Sequence, residues 1–296
     1  MYHIPRVENN TKISCPICNY GKTEKIIRQK QFDIIKCLNC GLQFVWPQPK
    51  RERLKEIYAK KYFIGNTNTP KGYADYGQLE DELSKEAKKR IALINKYCRR
   101  KNLLDIGCST GIFLEEAKRQ GYKVTGNEIS PYALKILKQK QIACFPGAVE
   151  DGVLPKGCFD IVTAWDVIEH VSEINKTVKE IENSLKDRGY LFLTTPDTQS
   201  LDSILMGKYW YNYQKAPEHL LFLNRKAISK LFENSKLKII SIKPWGFYRS
   251  LSFLIERLRL PPAISKMLQF IAKFLRMSDL IIFFPFTDFM VIAQKR

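Results

Sequence analysis

The stretch Leu103-Leu104-Asp105-Ile106-Gly107-Cys108-Ser109-Thr110-Gly111 constrains this chain more than any other. A short buried strand runs into a glycine-bearing turn, and the turn opens a helix over 112–120. The chain then repeats that alternation. Tyr122–Ile129 reads as a strand, Pro131–Lys140 as a helix opened by Ser130 with proline in its first turn, and Ala143–Phe145 as a short strand. Phe159–Trp165 follows as a strand, 172–186 as a helix, Gly189–Thr195 as a strand, Arg225–Asn234 as a helix and Lys238–Lys243 as a strand, with Phe289–Ala293 last. Strands separated by helices imply parallel crossover units. The expectation is therefore an α/β fold, a Rossmann-like, doubly wound open sheet. Ahead of it, Leu79, Leu83, Ala87, Ile91, Ile94 and Cys98 keep helical spacing.

A second feature is independent of the first. Cys15-Pro16-Ile17-Cys18 and Cys37-Leu38-Asn39-Cys40 are two tight pairs with eighteen residues between them. Two thiolates three residues apart reach one ion, and two such knuckles complete a tetrahedron of sulfurs. Gly21 and Gly41 suit the knuckle turns. Lys25–Ile27 and Phe32–Lys36 can pair as a hairpin between them. Four sulfurs leave no open coordination position, so the metal is expected to be a structural Zn2+ held by Cys15, Cys18, Cys37 and Cys40. Ribbons of this kind also serve as nucleic-acid-binding knuckles. Spaced pairs without an apolar export segment point to metal rather than disulfides and to a reducing, cytoplasmic compartment. No run reaches the roughly 18 apolar residues of a membrane-spanning helix.

Here the loop residues acquire a specific likeness. Asp105, Gly107 and Gly111, with Glu128 at the end of the second strand, resemble the cofactor-binding motifs of class I S-adenosylmethionine (SAM)-dependent methyltransferases. Glycines let the backbone approach the ligand, and the turn aims amide groups at it. The resemblance implies that Asp105 holds the amino group of SAM through the loop and that Glu128 accepts the ribose hydroxyls. Cys108, Ser109, Ile129, Glu150 and Trp165 complete the expected cofactor-binding set. Two positions depart from the family pattern. Ser109 replaces its middle glycine, and Ala148 replaces the aspartate that takes the adenine amino group, a role left to Glu150 or Asp151. A nicotinamide site would instead want G-x-G-x-x-G, which this loop lacks.

Asp166-Val167-Ile168-Glu169-His170 resembles the D-x-x-E-H motif of the small-molecule O- and C-methylating branch, including ubiquinone-type O-methyltransferases. Methyl transfer needs an aligned acceptor and a group to remove its proton. Asp166 and His170 are expected beside the donated methyl. The alternatives are that Glu169 and His170 hold a divalent metal, or only brace the loop. Ala216-Pro217-Glu218-His219-Leu220 resembles the branch's Pro-x-His-Leu segment, which implies that His219 faces the acceptor. Tyr209-Trp210-Tyr211-Asn212-Tyr213 then forms either the acceptor wall or plain core.

The expected organisation is a zinc ribbon over 1–50, a linker and helical lid over 51–100, and a SAM-binding methyltransferase domain over 101–296. The last carries an amphipathic helical insertion at 250–285. Basic residues alternate with apolar ones over 250–276, split at Pro261-Pro262. That pattern suits either a lid or dimer face, or contact with an anionic membrane. The formal charge of +19 favours anionic partners, although the lysines are spread throughout rather than clustered. The leading expectation is an enzyme that methylates an oxygen or carbon of a small molecule, such as a nucleotide sugar or a glycan or lipid-linked precursor. RNA methylation guided by the ribbon, or a non-catalytic binding role, are the alternatives.

Overall fold

The structure, a computed structural model, describes residues 13–49, 80–257, 261–275, 277–278 and 280–296. Of the linker and helical lid expected over 51–100, residues 51–79 lie outside these residues.

Seven strands form the main sheet: Asn102–Ile106 (β4), Lys123–Glu128 (β5), Cys144–Pro146 (β6), Phe159–Trp165 (β7), Leu185–Pro196 (β8), Leu237–Ser250 (β10) and Ile281–Lys295 (β11). Their order is β10-β11-β8-β7-β4-β5-β6. The five strands from β4 to β8 run parallel, while β11 runs antiparallel to both β8 and β10. The strand order reverses between β4 and β7, so a crevice opens beyond their carboxyl ends, where open α/β sheets take ligands. All seven residues of β7 are buried. Its apolar residues therefore do not alternate, and the two polar side chains within it, Asp160 and Thr163, are hydrogen-bonded.

The crossover helices cover both faces. Glu80–Tyr97 (α1) and Ile112–Arg119 (α2) pack on Leu103, Ile161, Phe192 and Ile292. Ile174–Ser184 (α4) and Arg225–Phe232 (α7) pack on Leu104, Val162, Leu191 and Leu193. Pro131–Gln139 (α3) opens after Ser130, as the proline dictates, but the Ser130 side chain makes no capping bond. Two short helices, Leu201–Met206 (α5) and Tyr211–Gln214 (α6), lie between β8 and α7.

The C-terminal elements differ from expectation. The β10–β11 hairpin pairs from Leu237–Lys295 out to Ser250–Ile281. It therefore extends beyond the end of β8, whose Pro196 faces Asp288. Among the described residues of 250–285, Leu251–Arg257 (α8) and Pro262–Phe274 (α9) are helical. Ile281–Phe284, assigned above to the helical insertion, belongs to β11. A short apolar run does not distinguish strand from helix by itself, and here pairing with 247–250 decides.

The N-terminal strands Thr23–Gln29 (β1), Phe32–Cys37 (β2) and Gln43–Trp46 (β3) form a second, antiparallel sheet. Its fourth strand is Leu221–Phe222 (β9), supplied by the methyltransferase-like region. At the first knuckle the left-handed residue is Asn19 (φ 55°) rather than Gly21. At the second it is Gly41 (φ 76°), where a Cβ would meet Asn224 Nδ2 at 2.7 Å.

Candidate functional site

The loop after β4 is wound tightly. Gly107, Ser109 and Gly111 all adopt left-handed φ, at 63°, 53° and 85°. A Cβ on Gly107 would sit 2.8 Å from Val167 Cγ2. Ser109 keeps the conformation that the family's glycine would have, at a steric cost of about 1–2 kcal/mol. Its amide donates to Glu128 Oε2 at 2.8 Å. Glu128 Oε1 accepts from the amides of Ile129 and Ser130, each at 2.8 Å. Glu128 thus pins the end of β5 to the loop. A carboxylate has about four acceptor sites, and three are taken, so two ribose hydroxyls bind only if an amide shares or yields. Burial pushes the Glu128 carboxyl up, and the three amide bonds pull it down.

Asp105 is buried and accepts from Thr163 Oγ1 at 2.6 Å; burial pushes its carboxyl up to about 7. Trp165 stacks edge-on against Phe113 at 5.3 Å, with the Arg90 guanidinium 4.7 Å over its ring. Trp165 Nε1 and Ser130 Oγ are buried without a partner. Two orphaned polar atoms beside a left-handed amide loop fit a polar ligand such as SAM. Of the expected cofactor residues, Cys108 contributes no side chain. Its thiol lies 2.5 Å from the position of a Gly126 Cβ, turned back onto β5, and its amide donates to Asn127 O. Glu150 sits in a 3-10 turn after β6 and accepts from Ser172 Oγ at 3.1 Å. Asp151 is exposed.

The D-x-x-E-H residues follow β7 directly. Asp166 is left-handed (φ 56°), a conformation costly for a non-glycine and favoured at functional sites. Its Oδ1 accepts from Thr194 Oγ1 at 2.8 Å, and its Oδ2 lies 3.6 Å from Arg90. Glu169 is 1% exposed, with Oε2 accepting from Thr195 Oγ1 at 3.0 Å and Oε1 without a hydrogen bond, 3.9 Å from His170 Nε2. His170 Nδ1 donates to Glu218 O at 2.8 Å, which places the ring's lone pair on Nε2. His219, 2% exposed, meets His170 edge-on at 4.6 Å, and its Nδ1 has no partner. Burial pushes His170 down to about 4 and His219 well below the usual imidazole range. Both rings are therefore neutral at pH 7. Burial pushes Glu169 well up, and Asp166 adds to the shift.

Glu169, His170 and His219 offer ligand atoms that all lie within 4.8 Å of one another. Such a set can serve as a proton acceptor or hold a divalent ion of the imidazole-preferring kind. Among the described residues, Cys15, Cys18, Cys37 and Cys40 form the other such cluster, with Cys15–Cys40 and Cys18–Cys37 sulfurs 3.5 and 3.6 Å apart. Four converging thiols, three of them buried, fit one tetrahedral zinc.

Sequence reasoning missed Arg90, Lys215 and Asp288. Lys215 is drawn into the field of Glu169, Asp166 and Asp288, and burial lowers its ammonium. Burial and Asp166 push Asp288 well up. A lone acid inside Phe286–Ala293 was the available signal. Arg90 carried none, because a helix arginine reads as surface. Of the aromatic run, Trp210 and Tyr213 are core, packed with Phe32, Ile34 and Val45 of the N-terminal sheet, while Tyr209 is exposed.

Comparison with known proteins gives a consistent result. The family described as "Methyltransferase domain" matches residues 76–242. The mitochondrial ubiquinone biosynthesis O-methyltransferase of Schizosaccharomyces pombe is 34% identical over 104 residues, 32% of this chain and 38% of that protein. The enzyme of the same name from Chromobacterium violaceum is 25% identical over 162 residues, 50% of this chain and 68% of that protein. The chain thus spans less than half of the first relative and about two thirds of the second. Among solved structures, the YcgJ protein of Bacillus subtilis covers 72% of this chain and 99% of its own, at 16% identity and TM-score 0.53. A SAM-dependent methyltransferase from Archaeoglobus fulgidus covers 75% and 100%, at 21% identity and TM-score 0.51. At these identities the structures show the shared fold.

Proposed function

The chain belongs to the methyltransferase family that matches it over 76–242, a class I SAM-dependent methyltransferase by family and fold, and from that premise we propose that it methylates an oxygen of a small molecule. The observation that carries this reading is a pair of neutral histidines, His219 buried and His170 half-buried, in contact with each other, with His170 on the loop after β7 whose Val167 packs against the Glu128-pinned loop. SAM, when bound, supplies an electrophilic methyl on a sulfonium. The chain's own residues do the rest. Asp105 and the 107–111 amides bind the methionine end, and Glu128, Ile129 and Trp165 the adenosine, with Glu150 towards the adenine. His170, kept in one tautomer by Glu218 O, takes the acceptor's proton on Nε2, and His219 and Asp166 orient the acceptor.

Oxygen is favoured over carbon because the relatives are named O-methyltransferases. Those names lend no support to a nucleotide-sugar or glycan acceptor. We assign Cys15, Cys18, Cys37 and Cys40 to a structural zinc, on the strength of their convergence. A cytoplasmic location with peripheral contact at the inner face of an anionic membrane is part of the same reading. It is supported by the exposed apolar residues of α9.

The test is transfer of labelled methyl from SAM. His170→Ala and His219→Ala are expected to lower turnover by about a hundredfold or more while SAM affinity by calorimetry stays unchanged. Normal turnover in both variants overturns the assignment. A second reading of the same site is favoured by the two orphaned atoms, Glu169 Oε1 and His219 Nδ1: a divalent ion between them. Metal analysis of the wild-type protein beside Glu169→Gln/His219→Ala decides between the two: a second equivalent of metal that the variant loses favours the ion, and one equivalent in both favours the proton acceptor.

A further inference from the structure

We propose that the four-cysteine ribbon is a positioning element of the acceptor site, holding Glu169 and His219 in register through the backbone of 220–222. The proposal rests on reading that site as the acceptor side of a methyltransferase. The connection is short. Val45 N donates to Leu220 O at 2.9 Å, and the amides of Leu220 and Leu221 both donate to Glu169 O, at 2.8 and 3.0 Å. Gln43 and Phe44 pair with Phe222 and Leu221. The segment Leu220–Phe222 therefore lies between the ribbon edge and the Glu169 carbonyl, and His219 immediately precedes it.

Two side-chain bonds hold the turn that carries Lys215 and Glu218. Tyr213 Oη donates to Gln43 Oε1 at 2.6 Å, and Lys30 Nζ donates to Ala216 O at 3.1 Å. Glu218 O is the acceptor that fixes the His170 ring. The ribbon thus reaches His219 and the Glu169 backbone through 220–222, and His170 through 213–218. Trp210 and Phe222 are buried against Phe32, Ile34 and Val45, so the ribbon's inner face is used up. A free-standing nucleic-acid module would leave that face and the β3 edge open; here both are committed to the catalytic region. A unit of this size has too little core to fold without its metal. Loss of the ion from the four cysteines should accordingly loosen 218–222.

The experiment compares full-length protein with zinc, after chelation, and after zinc is restored. Chelation is expected to speed amide exchange at Leu220 and Leu221 and to shift the His170 and His219 ring signals in NMR spectra. Turnover should fall roughly tenfold or more, as when an outer supporting contact is lost, while SAM affinity is retained. Zinc should reverse all three. A second variant, Lys30→Met/Tyr213→Phe, keeps the four cysteines and covers the case in which chelation unfolds the chain. It should retain one zinc and bind SAM, yet show the same exchange, ring shifts and loss of turnover. If this variant keeps wild-type exchange at 218–222 and wild-type ring signals, the proposal fails. Exchange and ring shifts that respond to zinc in a protein that methylates nothing would instead sink the activity reading and leave the positioning role standing.

Discussion

At the scale of single residues, burial without a matched charge is what sets this site apart. His170 titrates near 4 in the fold and near the ordinary imidazole value when unfolded. Between those values the unfolded chain binds the extra proton, so the contribution of His170 to stability is full above about pH 6.5 and lost as pH falls towards 4. Asp105 works in the opposite sense. Its folded value, about 7, exceeds the unfolded one, so the folded state holds the proton in between and this contribution is lost as pH rises towards 7. The two trends oppose each other in the acid range. Asp105→Asn, which keeps an acceptor for Thr163, should therefore lose stability more steeply than wild type when urea unfolding is measured at pH 7 and then pH 5. An equal or shallower slope refutes the burial argument. A histidine NMR titration supplies the direct check: the His170 ring signals should stay still from pH 8 to pH 5, and a midpoint near 6.5 contradicts the neutral pair. Ser109 offers a test of another kind. Ser109→Gly removes a left-handed side chain and should stabilise the loop by up to about 1 kcal/mol with SAM binding kept; a weaker cofactor affinity would show that the serine hydroxyl has a role of its own.

At the scale of elements, one side chain bonds both the ribbon and the start of α7. Asn224 Oδ1 caps α7 by accepting from Ala227 N at 2.7 Å, while its Nδ2 donates to Gly41 O at 2.9 Å in the second cysteine knuckle. Asn224→Ala loses both and should cost about 1–2 kcal/mol from the cap alone, with the knuckle bond added. Asn224→Asp keeps the cap and loses only the donor. Thermal unfolding of the pair separates the two contributions, and equal losses in both variants would place the whole effect at Gly41. Motif spacing pointed to the cysteine cluster and to the loop–helix start, because both depend on local geometry. It gave no sign of the dual role of Asn224, whose two partners lie 183 residues apart and three residues away. The length of β10 and β11 escaped it for a related reason. Leu237–Ser250 includes Pro244 and Gly246, which read as breaks, yet the antiparallel partner carries the strand through both with a register shift between Trp245 and Phe247.

At the scale of the whole molecule, the apolar surface is unevenly spread. Met267, Phe270, Ile271 and Phe274 of α9 are exposed, Phe270 and Phe274 at 70% and 78%, while Ala272 faces inward. At about 100° per residue they share one arc with Ile264, bordered by Lys266 and Lys273. No Asp or Glu occurs from Pro261 to Ser278. An apolar arc edged by lysines suits an anionic bilayer surface. The full chain should co-sediment with vesicles containing phosphatidylglycerol, and Phe270→Ser/Phe274→Ser should weaken this roughly tenfold or more, since each buried phenyl contributes about 1.5–3 kcal/mol. No binding at low salt would leave α9 as a face for another protein or a second copy. Among the described residues no helix is long and apolar enough to cross a membrane. The sequence alone determined the layered α/β class, the four-cysteine cluster and the tight glycine-bearing loop after β4, because hydrophobic period, glycine placement and cysteine spacing are local quantities. Only the tertiary structure decided that the ribbon shares a sheet with 221–222, that His170 and His219 meet, and that Arg90, Lys215 and Asp288 join them. Those relations depend on which distant segments are brought together and on how much water is excluded there, and neither is written in any short stretch of residues.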